Sequence, residues 1–157
     1  MKPHIGLSIH PPSANIPELR LAVEVMKARD WRISLLSFHW PHDFNAFEAI
    51  DAERINVSED KIHSIYSSIT LHCGMRYHGH VLSVIYNRPF VGISVSNKID
   101  AICDLFGMPV FKTFTAPMLV EAVEKTLPLK IDPIKRKNCT ELAEKNFTLL
   151  APLLMRR

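Results

Sequence analysis

The sequence has no hydrophobic run long enough to cross a membrane. A membrane-spanning helix needs roughly 20 consecutive apolar residues, and every apolar stretch here is shorter. Residues 1–15 also lack the extended apolar segment of a secretory signal peptide. These two absences favour a cytoplasmic protein without a membrane span, and this is the localisation that we expect.

Cysteine is too sparse and too scattered to build a disulfide framework or a zinc site. The three cysteines are Cys73, Cys103 and Cys139. Their number is odd and their spacing fits no zinc pattern, so we expect reduced, mostly buried thiols. Histidines crowd around one of them, at positions 72, 78 and 80. However, successive residues of a strand point to opposite faces and no second ligand pair follows, so we predict no metal site.

The chain also lacks an excess of charge of one sign. Its 19 basic and 16 acidic side chains leave a net charge of +3, whereas a nucleic-acid-binding domain usually concentrates Lys and Arg residues on one face. The only dense basic cluster in the sequence is 135–137, which the solvent-exposed start of a helix explains. We therefore expect no nucleic-acid partner.

The common nucleotide-binding and nucleophile motifs are missing. The sequence contains neither the Gly-x-Gly-x-x-Gly pattern of dinucleotide-binding proteins nor the P-loop of ATPases. It also lacks the Gly-x-Ser-x-Gly elbow that presents a nucleophilic serine. A dinucleotide cofactor and an ATPase activity are therefore disfavoured, and we predict no cofactor.

What the sequence does contain is a regular alternation of strand-like and helix-like segments. Its 157 residues suit one domain, and a composition of 47% hydrophobic and 22% charged residues is that of a globular protein. The predicted strands are 4–9, 32–38, 54–57, 69–74, 90–95 and 110–114. Helices are predicted from residue 16 and over 43–52, 60–67, 76–86, 97–106, 117–126 and 138–154. Asp43 is predicted to cap the second of these.

Strands that are continuously apolar are buried on both faces, and helices between them imply a parallel sheet covered on both sides. We therefore predict an α/β fold: a doubly wound, mainly parallel, Rossmann-like sheet of about six strands with helices on both faces. Ligands of such sheets bind beyond the carboxyl ends of the strands. The segments that would meet at this edge are 10–15, 39–43, 74–80, 95–98 and 114–117.

Residues 74–95, "GMRYHGHVLSVIYNRPFVGISV", combine a predicted strand end with a helix start that carries an arginine. The free N–H groups of a helix start attract anions, and the planar fork of Arg76 suits a phosphate or a carboxylate. His78 lies in the same first turn, whereas His80 points elsewhere, toward solvent or into the core. By itself, an Arg-x-His pattern at a helix start is more often structural, with the arginine paired to a neighbouring carboxylate.

This segment resembles the carboxyl-terminal signature of the polysaccharide pyruvyl transferase family. The matching features are Arg-Tyr-His at 76–78, a helix through Tyr86, Pro89, the strand 90–95 and Lys98. The resemblance covers about 69–107 and extends back to the first strand. Family members are similar to two-domain glycosyltransferases of the B type and are roughly twice as long. The resemblance therefore makes 1–157 a single Rossmann-like domain that matches their carboxyl-terminal half, with the amino-terminal domain missing.

The resemblance implies a function in exopolysaccharide biosynthesis. The family transfers the pyruvyl unit of phosphoenolpyruvate onto two sugar hydroxyls of a polysaccharide as a ketal. By resemblance, His78 is the general acid and base. Arg76 and Lys98 offset negative charge on phosphoenolpyruvate, and Gly74 belongs to the turn that binds it. His10 stands where members often carry an arginine, and we expect it to line the substrate-binding site. The glycan acceptor would lie mostly against the missing domain, so we expect the chain alone to lack turnover. The expected partners of the chain are that amino-terminal domain or a second subunit.

Two other functions stay open at this point. One is a glycosyltransferase-like domain that binds a nucleotide sugar, which would need an acidic residue for the ribose, and the loop 95–98 offers none. The other is a non-catalytic module that binds a partner chain through an exposed apolar patch. Binding of phosphoenolpyruvate rather than a nucleotide sugar would favour pyruvyl transfer over the glycosyltransferase-like function.

Overall fold

A computed structural model of the chain describes residues 2–39 and 41–154. The strands are β1 (His4–Ser8), β2 (Arg32–Ser37), β3 (Glu53–Asn56), β4 (Leu71–Gly74), β5 (Phe90–Ile93) and β6 (Val110–Phe111). The helices are α1 (Ile16–Ala28), α2 (His42–Ala46), α3 (Ile62–Ser68), α4 (Tyr77–Ile85), α5 (Asn97–Phe106), α6 (Ala116–Thr126) and α7 (Pro133–Leu154). None of the helices in the described ranges is long and apolar enough to span a bilayer.

The strands form one sheet of six, in the order β3-β2-β1-β4-β5-β6. Every neighbouring pair is parallel. The chain moves outward from β1 to β3, then returns past β1 to begin the second half at β4. This order is that of a doubly wound sheet, whose strand order reverses between β1 and β4. The predicted fold class is therefore confirmed.

Apolar side chains cover the sheet on both faces. On one face α1 and α6 pack against β1, β2, β4 and β5, through residues such as Leu19, Val23 and Leu119. On the other face α5 packs around Phe90 of β5, and α3 packs around Leu36 of β2. Because both faces are buried, most strand residues are apolar without alternation. Cys73 and Cys103 lie in these two layers as free, buried thiols.

The start of the last helix differs from the prediction for a local reason. The last helix begins at Pro133 rather than residue 138, because Asp132 caps it. Its Oδ1 atom accepts hydrogen bonds from the N–H groups of Ile134 and Lys135, at 2.8 and 3.1 Å. An Asp-Pro pair is a recognised start signal, since proline at the first helical position needs no N–H partner. Helix α5, by contrast, ends as predicted at Gly107, which has φ 65°.

The reversal point is built around an unusually close approach of β1 and β4. Ser8 pairs with Gly74, and a Cβ atom placed on Gly74 would lie 2.2 Å from the Ser8 carbonyl oxygen. Gly74 also has φ 156°, which residues with a side chain rarely adopt. The Met75 N–H then donates to the Ser8 carbonyl at 2.9 Å. A glycine at position 74 is therefore required for the chain to turn from β4 into α4.

We predict that Gly74→Ala destabilises the protein by more than about 3 kcal/mol, because the new methyl group must displace backbone atoms of β1. The matched control is Gly107→Ala, where an added Cβ has nothing within 4 Å and only the positive φ opposes it. That control should cost about 1 kcal/mol. Urea denaturation of both variants measures the difference, and equal losses would contradict the close approach.

Candidate functional site

The candidate site lies at the carboxyl ends of β1, β4 and β5, which are neighbours in the sheet. His10 follows β1, Arg76 and His78 stand at the start of α4, and Lys98 is the second residue of α5. The chain order separates these residues widely, but the reversal between β1 and β4 brings their elements to one edge. This is the edge at which parallel sheets bind ligands.

Arg76 forms an ion pair with Asp43 across this edge. The Asp43 side chain is 0% exposed, and the Arg76 side chain is 20% exposed. Oδ2 of Asp43 also accepts hydrogen bonds from the N–H groups of Phe38 and His39, each at 3.0 Å. The prediction that Asp43 caps a helix is therefore wrong. Asp43 lies inside α2 and connects the loop after β2 to the start of α4.

This role is not visible in the sequence because the partners are 33 residues apart. The available signal was position: Asp43 follows a buried strand whose carboxyl end meets the site edge. An acidic residue there, in a fold with an arginine after another strand, is a candidate partner for that arginine. Arg76 therefore does pair with a carboxylate, which is one of the two roles that the sequence left open for it.

Arg76 keeps unused hydrogen-bond capacity after it pairs with Asp43. Its Nε atom is buried and has no hydrogen-bond partner among the described residues. Arg76 itself is the residue before α4, with extended backbone (φ −97°, ψ 113°), so the helix begins at Tyr77 rather than at Arg76. The N–H groups of Tyr77 and His78 have no acceptor within the helix. The turn thus combines a fixed guanidinium with the positive end of a helix dipole.

The remaining predicted residues occupy different environments. Gly74 is buried against Ser8 and serves the close approach of the strands. His10 is half-buried, and its N–H contacts the Met75 sulfur at 3.4 Å. His78 is exposed, with its ring edge-to-face against Tyr77 at 6.1 Å between centroids. The exposed His78 is thus free to meet a molecule in solution, whereas Gly74 is not.

Lys98 lies at the rim of an apolar groove of about 510 Å³ between α4, α5 and α7. Tyr77 lines the groove near the site, and Leu105 and Ala143 line it farther along. Tyr77 and Leu105 are 38% and 45% exposed. The groove therefore adjoins the candidate site through Tyr77 and Lys98, although its walls are mostly apolar.

Two buried histidines, His72 and His80, lie beneath the turn that carries Arg76. His80 is thus satisfied in the core, one of the two positions expected for it. Burial lowers the pKa of His72 well below its usual value, and the nearby His80 lowers it further. Burial also lowers the pKa of His80, to about 4, although its hydrogen bond to the Gly74 carbonyl raises it. Both rings are therefore neutral at physiological pH. No group of three or more metal-ligating side chains occurs in the described ranges.

We predict strong energetic coupling between Arg76 and Asp43. Either Arg76→Gln or Asp43→Asn leaves a buried charged group without its partner, and we expect each to cost about 3 kcal/mol. The double variant should cost less than the sum by about 2 kcal/mol, since it removes both charges together. Urea denaturation of the four proteins measures the coupling.

The matched control for this cycle is the pair Arg29–Glu124, at 3.0 Å with side chains 44% and 58% exposed. Glutamine substitutions in that exposed pair should give a coupling below about 1 kcal/mol. A coupling for Arg76 and Asp43 no larger than the control would show that their ion pair does not form in solution.

We also predict that stability falls on acidification through the buried histidines. Unfolded histidines titrate near 6.5, so below this pH the unfolded chain binds protons that folded His80 does not bind until about pH 4. The free energy of unfolding should therefore fall between these values, by at most about 1.4 kcal/mol per pH unit for each histidine. His80→Gln should have a flatter profile by urea denaturation. The exposed His63→Gln is the control, and parallel profiles for all three proteins would contradict the prediction.

Solved structures with the same fold include two enzymes that are about twice the length matched here. The UDP-GlcNAc 2-epimerase of Methanocaldococcus jannaschii, in complex with UDP-GlcNAc and UDP, has a TM-score of 0.61 and 13% identity, covering 92% of this chain and 46% of the epimerase. AviGT4, a glycosyltransferase of avilamycin A biosynthesis, has a TM-score of 0.58 and 14% identity, covering 100% of this chain and 53% of that enzyme. This chain thus spans about half the length of both enzymes.

A protein that the match covers over its whole length has the same fold. The molybdenum cofactor carrier protein of Chlamydomonas reinhardtii has a TM-score of 0.55 and 15% identity, covering 82% of this chain and 100% of the carrier. At such low identities these likenesses show the fold and nothing further. No curated protein sequence matches the chain.

The sequence model of the family described as polysaccharide pyruvyl transferase matches residues 11–97. This match covers more than half of the chain and contains Asp43, Arg76 and His78, while Lys98 lies one residue beyond it. The family signature that the sequence carries at 76–98 and the family match therefore agree: the chain belongs to the polysaccharide pyruvyl transferase family.

Proposed function

We propose that this chain is one Rossmann-like domain and forms the phosphoenolpyruvate-binding half of a polysaccharide pyruvyl transferase. The observation that carries the proposal is the position of Arg76. Its guanidinium is held by Asp43 beside the start of α4, at the point where the strand order reverses. Membership of the family supports pyruvyl transfer as the reaction.

The charges of the site suit a donor with both a phosphate and a carboxylate. Arg76 presents a planar fork for a two-point contact with either group. The start of α4 supplies N–H donors, and Lys98 adds a mobile positive charge at the start of α5. Because Asp43 neutralises Arg76, the helix dipole and Lys98 supply much of the attraction for the anion.

The proposed reaction joins one donor to two hydroxyls of a sugar. The methylene carbon of phosphoenolpyruvate gains a proton, and the first hydroxyl oxygen bonds to the adjacent carbon as it loses its proton. The bond between that carbon and the phosphate oxygen then breaks and the phosphate leaves. The second hydroxyl bonds to the same carbon as its proton passes to the departing phosphate, which completes the ketal. His78 is exposed on the first turn of α4 and is the proposed group that moves these protons.

A second candidate function is the binding of a nucleotide sugar. The specific observation that favours it is Asp100, which lies in the first turn of α5. Its Oδ1 atom is buried and has no hydrogen-bond partner in the described part of the chain. A carboxylate at this edge of the sheet could accept hydrogen bonds from a ribose. The loop 95–98 contains no such acid, but the helix that follows it does.

We predict that phosphoenolpyruvate raises the melting temperature of the 157-residue chain and that UDP-GlcNAc does not. Arg76→Lys keeps a charge for Asp43 but loses the planar fork, so its affinity for phosphoenolpyruvate should fall about tenfold. Isothermal titration measures both proteins.

The matched control is Arg88→Lys. Arg88 is also half-buried and donates to backbone carbonyls of Tyr66 and Ser67, but it lies beyond the far end of α4. Its variant should bind phosphoenolpyruvate as the wild type does. Equal affinities of the wild type, Arg76→Lys and Arg88→Lys would overturn the assignment of Arg76. Stabilisation by UDP-GlcNAc alone would favour binding of a nucleotide sugar.

A further inference from the structure

A continuous chain of hydrogen bonds runs beneath the turn that carries Arg76. His80 Nε2 lies 3.1 Å from the Gly74 carbonyl oxygen, and His80 Nδ1 lies 3.3 Å from His72 Nδ1. His72 Nε2 lies 3.0 Å from the Ser8 hydroxyl. The Ser8 hydroxyl then accepts from the Arg76 N–H at 3.3 Å. This series of hydrogen bonds therefore starts at the backbone of residue 74 and ends at the backbone of residue 76.

The direction of every hydrogen bond in this chain follows from its first member. A carbonyl oxygen only accepts, so His80 Nε2 carries a hydrogen. In a neutral ring Nδ1 is then an acceptor, so the facing His72 Nδ1 must donate. The other nitrogen of His72 consequently accepts, and the Ser8 hydroxyl donates to it. The two neutral rings are thus in opposite tautomers.

The surroundings leave these rings little freedom. A Cβ atom on Gly79 would lie 2.3 Å from the His72 ring, so α4 rests directly on that ring. Phe90 packs against His80 at 5.1 Å between ring centroids, and Tyr66 lies 6.2 Å from His72. The Tyr66 hydroxyl donates to the Gly79 carbonyl at 3.2 Å. Tyr66 is the titratable neighbour from α3, and the two histidines face each other from β4 and α4.

We infer that His72, His80 and Ser8 are positioning residues that fix the turn 74–76 and thereby aim Arg76 and the first N–H groups of α4 at the bound anion. The inference rests on the proposed function for its ligand, phosphoenolpyruvate. None of the three side chains is exposed, since the relative accessibility of each residue is 0%. They act through the backbone of the turn rather than by contact with the donor.

Polar side chains are needed here because the turn leaves polar backbone atoms in a buried place. An apolar residue at position 8 would leave the Arg76 N–H without the Ser8 hydroxyl, and apolar residues at 72 and 80 would leave that hydroxyl and the Gly74 carbonyl without their ring partners. A buried polar group without a partner costs more than its hydrogen bond contributes. The turn would therefore relax and carry Arg76 with it.

The first test is the tautomeric state of the two rings by ¹⁵N NMR of the ligand-free chain at pH 7.5. We expect His72 as the Nδ1–H tautomer and His80 as the Nε2–H tautomer. The same tautomer on both rings, or rapid averaging between tautomers on either ring, would overturn the inference. This measurement does not depend on any ligand.

The second test is Ser8→Ala, which removes the hydroxyl but keeps the Ser8 carbonyl. Hydrogen exchange of the Arg76 amide should accelerate at least tenfold. Exchange of the Met75 amide, which donates to that carbonyl at 2.9 Å, should stay unchanged. The matched control is Ser34→Ala. Ser34 is equally buried and also contacts a histidine, with 2.8 Å between its hydroxyl and His4 Nε2, but it lies away from the turn.

The third test is isothermal titration with phosphoenolpyruvate. Ser8→Ala should bind about tenfold more weakly and Ser34→Ala as the wild type does. His80→Gln keeps an N–H donor for the Gly74 carbonyl and should bind more tightly than His80→Leu, which has none. Unchanged affinity in Ser8→Ala, together with unchanged Arg76 exchange, would overturn the inference and leave the proposed function intact. If the wild type binds no phosphoenolpyruvate, the proposed function fails, and the NMR and exchange results still decide whether the hydrogen-bond chain positions the turn.

Discussion

The contact between Ser8 and Gly74 is the constraint on which the candidate site depends. The strand order reverses here, so β1 and β4 lie side by side while their following segments diverge. Ligands of doubly wound sheets bind outside the strand ends at such a reversal point. Because Gly74 has no side chain, the Ser8 carbonyl and hydroxyl reach the next two N–H groups, those of Met75 and Arg76. The direction in which α4 leaves the sheet, and with it the position of Arg76, follows from this contact.

Buried Ser–His contacts connect β1 to each of its neighbours. At one end His4 lies 2.8 Å from Ser34 of β2, and at the other Ser8 lies 3.0 Å from His72 of β4. An apolar sheet covered on both faces has few features that distinguish one strand register from the next. A shift of one residue would turn these polar side chains to the opposite face and leave them without partners. The two contacts thus favour a single register for the central three strands.

Features with a local signal could be predicted from the sequence, whereas features that depend on distant residues could not. The alternating strands and helices follow from apolar runs and turn residues within each segment, and Gly107 marks the end of α5 by its own conformation. The family signature at 76–98 likewise needs only neighbouring residues. Asp43 was assigned to a helix cap because its immediate neighbours suggested one. Its actual partner, Arg76, becomes visible only when β2 and β4 have been placed in the sheet.

The ion pair explains how an arginine can remain at the site in one position before any ligand arrives. A long side chain loses conformational entropy when it is held, and that loss weakens binding if it occurs with the ligand. Because Asp43 holds Arg76 in the folded protein, Arg76 loses this entropy during folding and not on binding. Two backbone N–H groups hold the Asp43 carboxylate in turn. Neutralisation of Arg76 is the disadvantage, because a neutral pair attracts an anion over only a short range. The α4 dipole and Lys98 carry no such pairing within the described contacts. The proposed site therefore separates attraction from orientation: the dipole and the lysine would attract the anion, and the arginine would fix its orientation.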